Sequence, residues 1–272
     1  MSIGQNYRAN LEDILKTLLL VGIFAGLASA TTITYNDFSN VSTLSLNGTA
    51  AKSGTVLRLV PNIGSSAGSA YVTSPLSFSA STGFSATFEF NVQTDINNPT
   101  DGLAFVLQGQ GATALGSGGQ DEGYGGGSGV GVSPSVAVFF RGRGPAFIGL
   151  FTNGIASPFP PAGGTTIAEN SIYNQNEFAW IDYTPGTLNV FLSSTNAKPL
   201  SPVLSNSINI FGIVGAQEFV GFSAGTGAAS GTNDILNFSL TSAPTVPEPG
   251  TSLLFGLGLA GLGLAGNRLR RP

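Results

Sequence analysis

The chain lacks cysteine and histidine altogether, has one methionine in 272 residues, and only 9% of its residues are charged. Without histidine it lacks the commonest general base and metal-binding imidazole, and without cysteine it lacks thiolate nucleophiles, disulfides and thiolate metal sites. Between residues 31 and 243, acidic side chains outnumber basic ones by eleven to five. Nucleic acid is therefore not an expected partner, because a polyanion is bound by a basic face.

The chain is instead rich in glycine, with 39 copies, and in phenylalanine, with 19, and 42% of its residues are hydrophobic. Glycine disfavours helices and aromatic residues favour pleated surfaces, so the composition predicts an all-β protein with enough apolar surface for a core. Residues 109–129 are so rich in glycine that they predict a long loop. Ten alternating or apolar runs predict strands in stacked antiparallel sheets: 55–60, 70–72, 85–92, 103–107, 135–140, 147–152, 177–183, 187–192, 218–224 and 234–240.

The N-terminal end predicts export. Arg8 and Lys16 precede an apolar run at residues 17–27, and the small residues Ala28-Ser29-Ala30 follow it. This order is that of a secretory signal peptide, which we place at residues 1–30. An N-terminal membrane anchor is the alternative, although the run is shorter than the ~20 apolar residues that span a bilayer.

The C-terminal end, residues 244–272, has three parts in order. Pro247, Glu248 and Pro249 precede an apolar glycine- and leucine-rich segment, and arginines close the chain. The tail resembles the PEP-CTERM sorting signal, which implies that Pro247, Glu248 and Pro249 are recognised by an exosortase in a Gram-negative bacterium. The resemblance further implies a transmembrane sorting helix, transient inner-membrane anchoring, and processing that leaves the protein in the periplasm, at the outer surface or in the extracellular matrix. A plain C-terminal membrane anchor is the alternative.

The middle of the chain, residues 31–243, has the length of one β-sandwich domain. The order of its predicted strands and the sequence motifs within them resemble the legume-type (L-type) lectin domain, which implies a jelly-roll β-sandwich of the concanavalin A type. Six blocks carry the resemblance: Tyr35–Phe38 with Leu44–Gly48, Leu57–Leu76, Phe84–Val92, Asp101–Leu107, Trp180–Val190, and Val220–Ala224 with Asp234–Leu236.

Asp101 is the candidate sugar-binding residue. An ionised carboxylate surrounded by N–H groups holds sugar hydroxyls well, because charge-assisted hydrogen bonds are strong. The resemblance implies that Asp101 and Gly102 contact the sugar and that the Thr100–Asp101 peptide bond is cis. On the residues alone, Asp101-Gly102 is also simply a turn before a strand.

Glycine-rich loops supply the other candidate carbohydrate-binding residues. By the resemblance, Gly126 and Gly127 lie where a backbone N–H contacts the sugar, and Gly227 and Ala228 lie in the loop that sets specificity. Glycine permits close approach of the backbone to a ligand. The alternative for Gly126 and Gly127 is an ordinary flexible loop.

The sequence departs from the family at its paired metal ions. Phe139, Arg141 and Phe147 stand where the resemblance places a glutamate, an aspartate and a histidine that bind Mn²⁺ and Ca²⁺. Hard cations need oxygen ligands, so we predict no paired metal site and no cofactor. Arg141 could instead pair with Asp101 and brace it; the alternative is that Arg141 and Arg143 are solvated turn residues.

Three classes of function follow. The first is an exported lectin-like protein that binds glycans or exopolysaccharide without metal ions, and the second is a structural biofilm matrix protein that has lost sugar binding. The third, a glycoside hydrolase on a similar jelly roll, needs paired carboxylates at alternating strand positions. No such pair occurs, so we predict that the protein is not an enzyme. Membrane contact is expected only through the tail, and homo-oligomerisation is left open.

Overall fold

The structure is a computed structural model that describes residues 30–127, 129 and 131–244. The predicted signal peptide lies outside these residues, and so does nearly all of the predicted sorting tail, including Pro247, Glu248 and Pro249. Within the described part, no helix is long and apolar enough to cross a membrane.

Two antiparallel sheets of eight strands each form a sandwich. The first sheet has the order β14-β13-β12-β7-β16-β4-β3, and β1 also pairs with β16. Its strands are β1 (Thr31–Tyr35), β3 (Ala51–Ser53), β4 (Val56–Val60), β7 (Thr82–Thr94), β12 (Asn176–Thr184), β13 (Gly186–Ser193), β14 (Leu204–Ile208) and β16 (Gly231–Pro244).

The second sheet has the order β11-β10-β9-β8-β15-β5-β2, and β6 also pairs with β15. Its strands are β2 (Leu44–Gly48), β5 (Ser66–Val72), β6 (Leu76–Ser77), β8 (Gly102–Gln108), β9 (Ser135–Arg141), β10 (Phe147–Thr152), β11 (Thr165–Thr166) and β15 (Gln217–Thr226). A 3-10 helix at Gly119–Asp121 and a short α-helix at Ile210–Val214 complete the described elements.

The main core lies between the two sheets. In β7 the inward side chains Phe84, Phe88 and Phe90 are buried, while the alternate residues Glu89 and Asn91 are partly exposed. This period of two is the pattern of a strand with one face in the core. The prediction of a sandwich of antiparallel sheets is confirmed, and each of the ten predicted runs overlaps an observed strand.

A second, smaller core lies on the outer face of the second sheet, under the glycine-rich loop. Tyr124 from the loop packs edge-on against Phe139 of β9, with ring centroids 5.6 Å apart. The loop is held by its own backbone hydrogen bonds, including Gly116 N–H to the Gly123 carbonyl at 2.7 Å. Because the loop covers the sheet, every residue of β8 is buried.

Strand register fixes which loops share an end of the sandwich. Thr94, the last residue of β7, pairs with Gly231 at the start of β16, and Gly102 pairs with Gly225 and Arg141. The connections β4–β5, β7–β8, β9–β10 and β15–β16 therefore meet at one end, which we call the Asp101 end. At the opposite end of the first sheet, Thr31 of β1 pairs with Ser242 of β16.

Candidate functional site

Asp101 is the last residue before β8, and its buried side chain is paired with Arg141. Its Oδ1 lies 2.9 Å from Nη1 of Arg141, and the two side chains are only 4% and 5% exposed. The Arg141 guanidinium also lies over the Phe159 ring, 5.0 Å from its centroid. The predicted pairing of Arg141 with Asp101 is thus present in the structure. Arg143 is half-buried and donates from Nη1 to the Pro99 carbonyl at 3.3 Å.

A second carboxyl group faces the same guanidinium. Glu122 is fully buried, and its Oε1 lies 3.7 Å from Arg141 Nη1. Among the described residues, neither of its carboxyl oxygens has a hydrogen-bond partner. Burial raises the pKa of Glu122 well above its usual range, although the charge of Arg141 acts in the opposite direction. Burial therefore favours the uncharged form of Glu122, and Asp101, whose Oδ1 is 2.9 Å from Arg141 Nη1, is the nearer partner of the guanidinium.

Two buried side chains, Tyr173 and Asn233, hold the backbone around Asp101. The Tyr173 hydroxyl donates to the carbonyl oxygens of Thr100 at 2.6 Å and Asp101 at 2.7 Å. Burial raises the pKa of this phenol, so it remains a donor. Asn233 donates from Nδ2 to the carbonyl of Gly102. The carbonyl groups of three successive residues are thus fixed by two buried side chains.

The prediction of a cis bond between Thr100 and Asp101 is wrong. Within the described residues, the cis peptide bonds all precede proline, at Pro134, Pro145, Pro158 and Pro160. A non-proline cis bond costs about 3 kcal/mol, and here the turn before β8 is made with trans bonds.

Gly102 is required by packing. A Cβ at this position would lie 2.2 Å from the carbonyl oxygen of Phe140 and 3.0 Å from Glu122 Oε1. Its own carbonyl is occupied by Asn233. Gly102, a predicted sugar contact, is therefore part of the packing next to Asp101. Because it has no side chain, β8, β9 and the Glu122 side chain can approach one another.

The predicted glycine contacts fall into two groups. A Cβ on Gly227 would lie 3.8 Å from Asp101 Oδ2, so this glycine borders the second carboxylate oxygen. The neighbouring Ala228 is exposed. Gly126 instead donates its N–H to the Gly154 carbonyl at 3.2 Å, at the side of the glycine-rich loop that faces the end of β10.

Gly127 is exposed and bonds to Asp121, which precedes Glu122. Burial raises the pKa of the Asp121 carboxyl, the Gly127 N–H lowers it, and the negative charge of Asp101 raises it. Asp121 is therefore electrostatically linked to Asp101, and it connects the two groups of predicted residues.

The residues at the family's metal positions do not fit a pair of divalent cations. Phe139 and Phe147 are fully buried in the smaller core, where Phe147 stacks on Phe159 at 5.6 Å and Phe139 packs on Phe151 at 4.7 Å. Arg141 brings a fixed positive charge to the place beside Asp101. Apolar rings supply no oxygen ligands and a guanidinium repels a cation, and the described residues contain no cluster of three or more metal-binding side chains.

Sequence reasoning missed three residues of this arrangement. The sequence patterns single out none of Glu122, Tyr173 and Asn233. The one signal for Glu122 was a lone acidic pair within a long glycine-rich segment.

Comparison with known proteins agrees with this fold. The legume lectin domain family matches residues 30–125 and 145–254, and the PEP-CTERM protein-sorting motif matches residues 245–271. The L-type lectin-domain containing receptor kinase VIII.1 of Arabidopsis thaliana is 30% identical over 78% of this chain and 32% of its own length. The chain spans a third or less of the Arabidopsis receptor kinases that it matches.

Solved lectins share the architecture. A lectin from Bauhinia forficata in complex with GalNAc is 21% identical, with a TM-score of 0.67 over 80% of this chain and 100% of that chain. The metal-free form of lectin I-B4 from Griffonia simplicifolia is 25% identical, with a TM-score of 0.66 over 78% of this chain and 99% of that chain. The chain therefore belongs to the legume lectin domain family and carries a PEP-CTERM sorting motif at its C-terminal end.

Proposed function

We propose that this protein is an exported lectin that binds a glycan or exopolysaccharide at the cell surface through the Asp101 end. The observation that carries the proposal is that the two oxygens of the Asp101 carboxylate have different neighbours. Oδ1 is engaged by Arg141, while Oδ2 borders Gly227, which has no side chain to obstruct a ligand. A charge-assisted hydrogen bond from a sugar hydroxyl to Oδ2 is the interaction that this arrangement favours.

The proposed lectin works without paired metal ions. A carboxylate that binds a ligand must be held rigidly and must have its charge compensated. Arg141 provides both, because it contacts Asp101 at 2.9 Å and is itself fixed against the Phe159 ring. Tyr173 and Asn233 hold the adjoining backbone. Membership of the legume lectin domain family supports the carbohydrate-binding half of the proposal.

The sorting motif supports the cellular part of the proposal. Recognition of Pro247, Glu248 and Pro249 by an exosortase would place the domain outside the inner membrane of a Gram-negative bacterium, after transient anchoring by the tail. Replacing the three residues with alanine should leave unprocessed protein in the inner-membrane fraction, whereas normal processing of this variant would contradict the exosortase assignment.

We propose binding without catalysis. The carboxyl groups that face Arg141 are Asp101 and Glu122. Of these, Asp101 is ion-paired and Glu122 is fully buried. A glycoside hydrolase needs two carboxyl groups that both reach the glycosidic bond, and this arrangement offers no such pair.

A second candidate function, a matrix protein that has lost sugar binding, is favoured by one observation. Only 4% of the Asp101 side chain is exposed, so a ligand must reach Oδ2 past the Gly227 loop. A glycan array decides between the two functions. The full-length chain in a sugar-free detergent is applied with and without EDTA, beside an Asp101→Asn variant.

The lectin proposal expects binding that persists in EDTA and is lost in the Asp101→Asn variant. Loss of binding in EDTA would overturn the metal-independent part alone. Silence of the parent protein on every glycan would favour the matrix protein, provided that its thermal unfolding shows a folded domain.

A further inference from the structure

The Arg141 guanidinium lies beside two buried carboxyl groups. Its Nη1 is 2.9 Å from Asp101 Oδ1 and 3.7 Å from Glu122 Oε1, and all three side chains are 5% exposed or less. Among the described residues, Arg141 Nε and Nη1 and both carboxyl oxygens of Glu122 are buried without a hydrogen bond. The place of the guanidinium therefore depends on the charges of its two neighbours and not on a closed set of hydrogen bonds.

The glycine-rich loop brings the Glu122 side chain to this place. The Glu122 N–H donates to the Gly119 carbonyl at 2.9 Å, and the residue has a φ of 52°. Its Oε1 lies against the backbone of β8, since a Cβ on Gly102 would be 3.0 Å away from it. The carboxyl group is thus set beside Arg141 by the fold of the loop.

Charged and titratable groups from four parts of the chain act on one another here. Arg141 ends β9, Asp101 precedes β8, Asp121 adjoins Glu122 in the loop, and Tyr173 lies in the β11–β12 connection. Burial raises the pKa of Glu122, Arg141 lowers it, and the negative charges of Asp101 and Asp121 raise it. Ionisable groups in such contact titrate as a set, so the charge of Glu122 bears on Asp101.

The proton on Glu122 decides how the guanidinium is shared. When Glu122 is uncharged, Asp101 is the one charged carboxylate in contact with Arg141. When Glu122 is ionised, two carboxylates attract the same guanidinium, and the added negative charge disfavours the ionised form of Asp101. Both effects weaken a hydrogen bond from a ligand hydroxyl to Asp101 Oδ2, because an ionised and fixed acceptor makes the stronger bond.

We propose that Glu122 is a positioning residue for the Asp101 site, and that ligand binding is strong while Glu122 carries its proton and weakens when the proton is lost. This inference rests on the proposed lectin function and adds the regulation of its site. Coupling between two sites is reciprocal, so a bound ligand should make Glu122 keep its proton to higher pH. Couplings of this kind are typically about 5- to 150-fold, and we expect a change in affinity of about tenfold.

The test measures ligand binding and the ionisation of the two carboxyl groups over one pH range. The full-length chain in a sugar-free detergent is applied to the glycan array at about pH 5, 7 and 9, beside Glu122→Gln, which keeps the shape of the side chain without its charge. Glu169→Gln is the matched control, because Glu169 is exposed. NMR of isotope-labelled carboxyl groups follows Glu122 and Asp101 without any ligand, and thermal unfolding shows whether each variant is folded.

We expect binding by the parent and by Glu169→Gln to fall about tenfold from low to high pH. Glu122→Gln should keep the low-pH affinity throughout, and so should Glu122→Met, which replaces it if the glutamine variant does not fold. Without ligand, the Asp101 resonance should shift as Glu122 ionises. Because Glu218, whose pKa is about 8, titrates in the parent and in both variants of Glu122, the difference between their profiles reports Glu122 alone.

Two results would overturn the inference while leaving the lectin proposal intact. One is binding that follows the same pH profile in the parent and in the Glu122 variants. The other is an Asp101 resonance that does not respond to the ionisation of Glu122. Absence of binding at every pH would overturn the lectin proposal, and the regulation of binding with it, even if the NMR titration showed the two carboxyl groups to be coupled.

Discussion

Replacing Arg141 with methionine tests the brace on Asp101 most directly. Methionine keeps most of the length of the side chain but removes the guanidinium, so the Asp101 carboxylate remains 4% exposed without its partner. Removing one member of a buried ion pair costs about 3–5 kcal/mol, because the remaining charge is left uncompensated. For a domain of this size each kcal/mol lowers the melting temperature by about 2–4 °C, so we expect a fall of about 10 °C at pH 7. Thermal and urea unfolding of the variant and the parent at pH 7 measure the loss.

The double variant Arg141→Met with Asp101→Asn completes a mutant cycle. Because it removes both charges, it should recover a large part of the stability that Arg141→Met loses. The control is Arg58→Met, since Arg58 forms a two-contact pair with Asp234 in which the side chains are 33% and 13% exposed. Because water reaches this partly exposed pair and screens it, we expect Arg58→Met to cost less than Arg141→Met. The reasoning would be refuted if Arg141→Met cost no more than Arg58→Met, or if the second substitution recovered nothing.

Three further predictions concern single buried residues. Glu218 is buried without a hydrogen-bond partner among the described residues, and burial raises its pKa to about 8 from 4.5. Because the carboxyl ionises more readily in the unfolded chain, the parent should lose stability as the pH rises from 4.5 to 8. Glu218→Gln should therefore be more stable than the parent by roughly 3 kcal/mol at pH 7 in urea unfolding. Gly102→Ala should destabilise the domain by about 1–3 kcal/mol or more, since its Cβ would lie 2.2 Å from the Phe140 carbonyl oxygen. Tyr173→Phe should cost about 1–3 kcal/mol in the same assay, because two buried carbonyl groups lose their donor.

Each of these predictions has a contrary result. A pH-independent difference between Glu218→Gln and the parent would show that this carboxyl does not change ionisation on folding. A Gly102→Ala protein as stable as the parent would show that the strands can separate without cost. A neutral Tyr173→Phe would mean that the hydroxyl does not hold the Asp101 turn.

The strands that the sequence predicted are those with long apolar or alternating runs, such as β7 and β10. The strands it missed are short or polar. β11 has two residues and β14 reads Leu-Ser-Asn-Ser-Ile, so neither has a hydrophobic period to detect. The helix Ile210–Val214 is one turn long, and its N-cap, Asn209, was the only local signal.

The part of the site that could be predicted is the part built from charged residues, because the domain has few of them. Arg141 could be offered as a partner of Asp101 because the domain has few basic residues and Arg141 stands at a position where the resemblance places a metal ligand, but a solvated turn residue was an equally open alternative. Glu122 could not be placed, because its burial depends on how the glycine-rich loop folds over β8. Tyr173 reaches the Asp101 turn from about seventy residues away, a contact that no local pattern encodes.

The pairing of β1 with β16 brings the beginning and the end of the domain side by side, with Thr31 opposite Ser242. Thr31 and Ser242 lie at the end of the sandwich opposite Asp101, separated from it by the 13-residue length of β7, or roughly 40 Å. A tether joined at that end would therefore hold the proposed ligand site facing away from whatever the tether is fixed to. The same geometry would leave the Gly227 loop free to meet a polymer in the surrounding medium while the tail is still attached.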